Sequence, residues 1–157
     1  MDYQQEESHI YLQLSGVQGS CERTDSKNWI ALTGFSQSFS RGMGTGSDAV
    51  KGQHHPISVS ALVDKSTSYV LQQVMAGQKY PTATIKKLTD AGGTSKEALK
   101  IDMKEVAIES FSYSVAPQGI YVNFSLSYDT IELTFKHAPD YAAAMPASWN
   151  LKTGKKA

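Results

Sequence analysis

Cysteine is nearly absent from these 157 residues: Cys21 stands alone. An intramolecular disulfide is therefore excluded, and with no histidine or second cysteine close by in sequence, Cys21 reads as a small loop residue and not as a reactive thiol. Net charge is absent as well. Fifteen Lys and Arg balance fifteen Asp and Glu, so no long-range field draws nucleic acid or an anionic membrane toward the chain. No apolar run is long enough to span a bilayer, and the N-terminus, Met1-Asp2-Tyr3-Gln4-Gln5-Glu6-Glu7-Ser8, lacks the basic and apolar segments of a secretory leader. The expectation is a protein made in the cytoplasm.

Catalytic patterns are thin too. Gly44, Gly46 and Ala49 fit a loose G-x-G-x-x-A string, but a dinucleotide fingerprint follows a strand and opens a helix, and here a strand pattern comes next. His54 and His55 are adjacent, so on an extended chain they point to opposite faces and do not share a metal ion. Serines, His55 and Asp64 could compose a Ser-His-Asp set on paper, yet no G-x-S-x-G elbow is present. The residues lead to no enzyme, no cofactor and no metal site.

What the chain has in quantity is period-two patterning. Ile10, Leu12 and Leu14 alternate with Tyr11 and Gln13, the mark of a strand with one buried face, ended by Gly16 and Gly19. A β region over 29–40 follows, with a phase change near Gly34 and with Phe35 and Phe39 set among Ser36, Ser38 and Ser40. Residues 41–55 hold Gly42, Gly44, Gly46 and Gly52 and read as one extended loop. Ile57, Val59, Ala61 and Val63 resume the alternation.

One convincing helix then interrupts it. Asp64 or Ser66 can cap its first turn, Val70, Leu71, Val74 and Met75 make an apolar stripe, and Gly77 suits the left-handed position after the last turn. Strand patterns return over 81–90, 99–103, 111–115, 120–128 and 131–135, with a bend near Val106 and Ile108 and a turn at Ala91-Gly92-Gly93. The aromatics Phe35, Phe39, Phe111, Tyr113, Phe124 and Phe135 read as core. Residues 137–157 look irregular, anchored at most by Trp149.

Seven to nine strands and one helix predict a single mainly β domain over 1–157: a two-sheet β-barrel or sandwich with one flanking α-helix, a polar arm at 1–8 and a loose tail. A polar face recurs along its strands, through Ser36, Ser38 and Ser40, Ser58 and Ser60, Ser110, Ser112 and Ser114, and Asn123, Ser125 and Ser127. Short uncharged side chains of this kind suit plain solvent exposure, or a smooth surface presented to a partner or a channel.

The order of several short motifs resembles a known family. Ile10-Tyr11-Leu12-Gln13-Leu14 with Gly16 and Gly19, Val63-Asp64-Lys65-Ser66-Thr67, Gly77-Gln78-Lys79-Tyr80-Pro81, Ala91-Gly92-Gly93, and Val122-Asn123-Phe124 ahead of Ile131-Glu132-Leu133 are similar to the haemolysin-coregulated protein (Hcp) family, the inner-tube subunit of the bacterial type VI secretion system. The resemblance implies hexameric rings stacked head to tail into a hollow tube, partners among sheath, spike and effector proteins, and export without a signal peptide to the extracellular space or a target cell. It implies that Ser36 and Ser38 face the lumen and its effectors, and that Arg41, Gly42, Gly44, Gly46 and Lys51 carry ring-stacking contacts. The chain departs from the family at Ser68, at Gly19-Ser20-Cys21 and at Thr89-Asp90. The alternative on the same patterning is a small-ligand-binding β-barrel.

Overall fold

One strand of 23 residues, Thr94–Ala116, organises the molecule. In the computed structural model, which describes residues 9–41, 52–91, 93–142 and 144–157, the elements are β1 (Ile10–Leu14), β2 (Ile30–Ala31), β3 (Gly34–Ser36), β4 (Phe39–Arg41), β5 (Gly52–His54), β6 (Ile57–Leu62), α1 (Thr67–Ala76), β7 (Tyr80–Ala91), β8 (Thr94–Ala116), β9 (Gly119–Ser127), β10 (Thr130–Phe135) and β11 (Ala147–Asn150). The polar arm at 1–8 and most of the glycine-rich segment lie outside the described residues.

Sequence patterning splits 94–116 into two strands around a bend. The structure keeps them continuous and puts the bend inside: Glu105 takes φ 53, and the ladder to β9 shifts register between Ile108 and Ser110. Buried positions accordingly change phase, from Ile101 and Met103 to Val106 and Ile108. Bulges of this kind bend a strand and let it serve two sheets. The first half of β8 pairs with β7 and β10; the second half pairs with β9, which continues through β6 to β3.

The hydrogen-bonded order β2-β1-β7-β8-β9-β6-β3 does not close into a continuous barrel. Its two end strands nevertheless follow one another in the chain. Between them Leu32 N–H donates to the Ile10 carbonyl at 2.9 Å and Thr33 N–H to the Ser60 carbonyl at 2.8 Å, so this short corner bridges the two sheets. The phase change near Gly34 is that corner.

The core lies between the sheets and obeys their registers. Ile30, Leu12, Ile85, Ile101 and Leu133 are successive cross-strand partners on one side, and Phe35, Val59, Phe124 and Phe111 on the other, with the last two rings stacked at 6.1 Å between centroids. Each fully buried aliphatic or aromatic side chain contributes about 1.5–3 kcal/mol relative to exposure. Three of the six predicted core aromatics do not sit there: Phe39, Tyr113 and Phe135 are at least half exposed, whereas Phe124 is buried in the cluster and Phe35 and Phe111 are half-buried and packed against it.

Tyr11 corrects the one-face reading of the first strand. It is fully buried, in a second small cluster with Cys21, Ala31 and Leu88 under Trp29, because residues 17–29 fold back over that side of β1. Lys86 closes this cluster, its ammonium 4.1 Å from the Trp29 ring centroid.

The helix docks through Val70, while Met75, placed on its apolar stripe by spacing, is 72% exposed. Gly77 takes φ 66 and its N–H donates to the Val74 carbonyl, so the left-handed C-terminal turn is as its sequence indicates. At the other end Ser66 caps nothing. Asp64 does the work: Oδ1 accepts from the Ser66 N–H at 2.7 Å and from its hydroxyl, and Oδ2 from the Ser20 N–H at 3.2 Å. The tail is also more ordered than its composition suggests, since β11 pairs with β10 and sets Trp149 opposite Ile131.

Candidate functional site

The outer face of the sheet formed by β3, β6, β9 and the end of β8 is paved with short polar side chains in register. Ser36, Ser58, Ser125 and Ser110 are consecutive partners across the four strands. One step along, Gly34, Ser60, Asn123 and Ser112 form a second row. Period-two alternation sends every intervening residue inward to the core, so the hydroxyl rows and the Phe35 row are opposite faces of one surface.

Lateral hydrogen bonds hold these side chains down. Ser110 and Ser125 share a bond of 2.7 Å, the Ser60 hydroxyl donates to Asn123 Oδ1 at 2.6 Å, and Ser127 donates to Glu109 at 2.6 Å. The two central rows carry no formal charge. Where Ser36, Ser38, Ser58, Ser110 and Ser125 meet His55, the surface dips into an open depression of about 460 Å³. A wall of this kind offers hydrogen bonds of modest strength over a wide area and no strong anchoring point.

Beyond Ser36 the chain leaves the sheet and forms a separate two-stranded ribbon, Phe39–Arg41 against Gly52–His54. Both arms of the segment 41–55 were expected as loop; its β5 arm is a strand, paired through Arg41 with Gly52, Ser40 with Gln53 and Phe39 with His54. Arg41 is exposed at the end of the ribbon, and Gly42, Gly44, Gly46 and Lys51 lie outside the described residues.

The two histidines do point to opposite faces. His54 Nδ1 meets the Tyr128 hydroxyl at 2.7 Å, while His55 Nε2 meets the Ser40 hydroxyl at 2.9 Å. Burial pulls the His54 imidazole below its ordinary range and pushes the Tyr128 phenol up to about 12. Gln37 completes this contact, its amide donating to Tyr128 at 2.8 Å. Sequence patterning missed Gln37 and Tyr128 because 91 positions separate them, and no local signal joins a linker glutamine to a turn tyrosine. Asp64, the acid of the paper triad, is instead committed at the helix start. Among the described residues no group of three His, Cys, Asp or Glu side chains is placed to hold a metal ion.

A family model described as type VI secretion system effector, Hcp, matches residues 11–135. The chain belongs to the Hcp family. Solved structures agree on the fold. A type six secretion system protein matches with TM-score 0.83 at 22% identity, over 94% of this chain and 98% of the other. Hcp1 from Salmonella typhimurium matches with TM-score 0.76 at 16% identity, over 94% and 97% of the two chains, and the secreted protein Hcp3 from Pseudomonas aeruginosa with TM-score 0.71 at 13% identity, over 90% and 96%. None of the curated proteins matches. This Hcp chain is thus a type VI secretion protein with a mainly β, two-sheet fold and one helix, and none of its described helices is long and apolar enough to cross a membrane.

Proposed function

We propose that the chain is the repeating, non-enzymatic subunit of a hollow secretion tube, in which six copies close head to tail into a ring and rings stack through the 41–55 segment. The observation that carries this reading is the registered hydroxyl face: four strands present Ser36, Ser58, Ser125 and Ser110 in one uncharged row. Facing a bore, such a wall holds water and cargo without an ionic trap. Two patches must coexist on each subunit, one pair closing the ring and another pair propagating the stack. Sheath, spike and effector proteins are the partners this role requires, with export through the machine itself.

Arg41 and the residues beyond it, Gly42, Gly44, Gly46 and Lys51, are proposed as the stacking contacts, and Ser36 and Ser38 as contacts to cargo. A small-ligand barrel needs an enclosed chamber, and the space between helix and sheet is about 10 Å³, at the limit for a single water molecule. The test combines imaging with substitution. Purified protein should show rings with a central hole by negative stain, and Ser36→Trp should form the same rings while losing effector retention. A monomeric protein under all conditions defeats the ring; normal rings with unchanged retention remove Ser36 from the bore.

A further inference from the structure

The ribbon of β4 and β5 is joined to the body of the molecule through a three-residue relay. Its members come from three places: His54 from β5, Tyr128 from the turn between β9 and β10, and Gln37 from the linker between β3 and β4. The Gln37 amide nitrogen donates to Tyr128 Oη at 2.8 Å and to the His55 carbonyl at 3.4 Å. Tyr128 Oη accepts from Gln37, and the other described partner of that hydroxyl is His54 Nδ1, 2.7 Å away, so the arrangement that gives the phenol proton an acceptor has Nδ1 unprotonated. The polarity therefore runs one way, from Gln37 through Tyr128 to an unprotonated Nδ1.

Adding a proton to His54 reverses the last link. Nδ1 becomes a donor facing a hydroxyl whose proton already points at it, and the hydroxyl must turn to another acceptor. The buried Gln37 Oε1 has no hydrogen-bond partner among the described residues, so it can take that proton only if the amide flips. A flip withdraws the amide nitrogen from the His55 carbonyl, one of the bonds that hold β5 in place. Protonation also puts a cation into a half-buried site, where the Phe39 ring stands edge-on at 5.0 Å and Ile131, Leu133, Phe135 and Trp149 line the cleft beside it. None of those side chains titrates. Tyr128 is the one titratable group described as facing the imidazole; His55 points the other way to Ser40, and Asp129, next to Tyr128, is taken up by Lys152 at 3.1 Å. No carboxylate among the described residues forms an ion pair with His54, whose shift has burial as its cause.

We propose that the relay of His54, Tyr128 and Gln37 is an acid-sensitive latch, closed while His54 is neutral and opened by its protonation, so that acidification frees the β4–β5 ribbon while the rest of the fold stays intact. The sign follows from burial. The folded state disfavours the imidazolium, so the latch is complete above the ordinary imidazole value of about 6.5 and is lost as pH falls below it. The release itself stands on the relay alone; its consequence for ring stacking rests on the function proposed above.

Hydrogen exchange measured by mass spectrometry tests the latch on the whole protein, whatever its oligomeric state. Labelling is done between about pH 7.5 and pH 5, the window in which histidine titrates, with times scaled for intrinsic exchange. Peptides covering 37–41 and 52–56 should lose protection toward low pH, the direction set by burial of the neutral imidazole. Peptides from β8 and β9 in the same samples should stay protected. His54→Gln should abolish the pH dependence, His55→Gln should leave it, and Tyr128→Phe should leave the ribbon unprotected at both ends of the range. Ring assembly scored in parallel separates the two ideas, since a monomer with a working latch defeats only the assembly reading. Ribbon protection that does not change with pH, or a transition that survives His54→Gln, overturns the latch.

Discussion

An added Cβ at Gly19 would stand 2.3 Å from the Trp29 carbonyl oxygen and 2.7 Å from the Ile30 Cα. Both neighbours are backbone, and they are fixed there because Gly19 N–H donates to the Asn28 carbonyl at 2.8 Å and Cys21 N–H to the Trp29 carbonyl at 3.1 Å. Gly16, three residues earlier, has the left-handed φ of 78 and open space around it. The two glycines are thus irreplaceable for different reasons. Gly19→Ala should cost about 2–3 kcal/mol by forcing the covering loop off β1, lowering Tm by about 5–10 °C for a domain of this size. Gly16→Ala should cost about 1–2 kcal/mol, the strain of a side chain in the left-handed region. Calorimetry on the two variants checks the order; an equal or smaller loss at Gly19 would mean that the loop yields freely. In the same loop, the hydrogen bond from Arg23 holds the Asp25 carboxyl below its usual range. A carboxylate depressed in the folded state stabilises above its unfolded pKa of about 3.9 and loses that contribution as pH falls through the folded value. Asp25→Asn should therefore lower stability slightly at neutral pH, by under about 1 kcal/mol for so exposed a pair, and match the parent in strong acid.

Elements report how far pattern carries. The strand sequences 57–62 and 119–127 could be read directly because each has one wet face, and alternation encodes that face in every second residue; in 80–91 the alternation holds at Ala83 and Ile85 but breaks where the register slips after Lys87 and Leu88 joins the second cluster. The helix was equally legible from Asp64 to Gly77. What pattern could not give was long-range covering: Tyr11 looks exposed by alternation, and only the return of residues 17–29 over it makes it core. Nor could it find β11, since Ala147-Ser148-Trp149-Asn150 is too short to show a period and gains its structure by pairing with β10. The candidate face was half readable. Serines at alternate positions were visible on each strand, but their alignment into rows is a property of register, and the partners of His54 lie in distant turns. Two variants separate the kinds of support at this scale. Asp64→Ala removes the acceptor for Ser66 and Ser20 together and should cost about 1–2 kcal/mol, while Ser66→Ala, at the position that caps nothing, should cost clearly less. Chemical denaturation of both checks this; a larger loss at Ser66 would return the cap to it.

At the scale of the whole molecule the deciding property is the absence of charge from the registered face. If Ser36, Ser58, Ser125 and Ser110 line a bore, cargo is held by many weak, short-range hydrogen bonds and by confinement, and ionic strength has little to screen. Charge-mediated capture would behave differently, because interactions between exposed charges fade once the Debye length shrinks to about 3–10 Å, as it does between 1 M and 0.1 M salt. Effector retention by assembled rings should therefore change less than about twofold between roughly 0.05 M and 0.5 M salt. Ser58→Arg supplies the contrast. Ser58 is exposed in the middle of its row, so each subunit would add one cation to the wall without disturbing Val59 or Ile57 on the buried side. Acidic cargo should then bind more tightly at low salt and lose that gain as salt rises, while ring mass stays the same. Co-purification of an effector across the salt series measures both. A steep salt dependence in the parent protein would mean that charged groups elsewhere do the holding, and a Ser58→Arg variant that retains cargo identically at every salt would mean that this face looks outward to solvent.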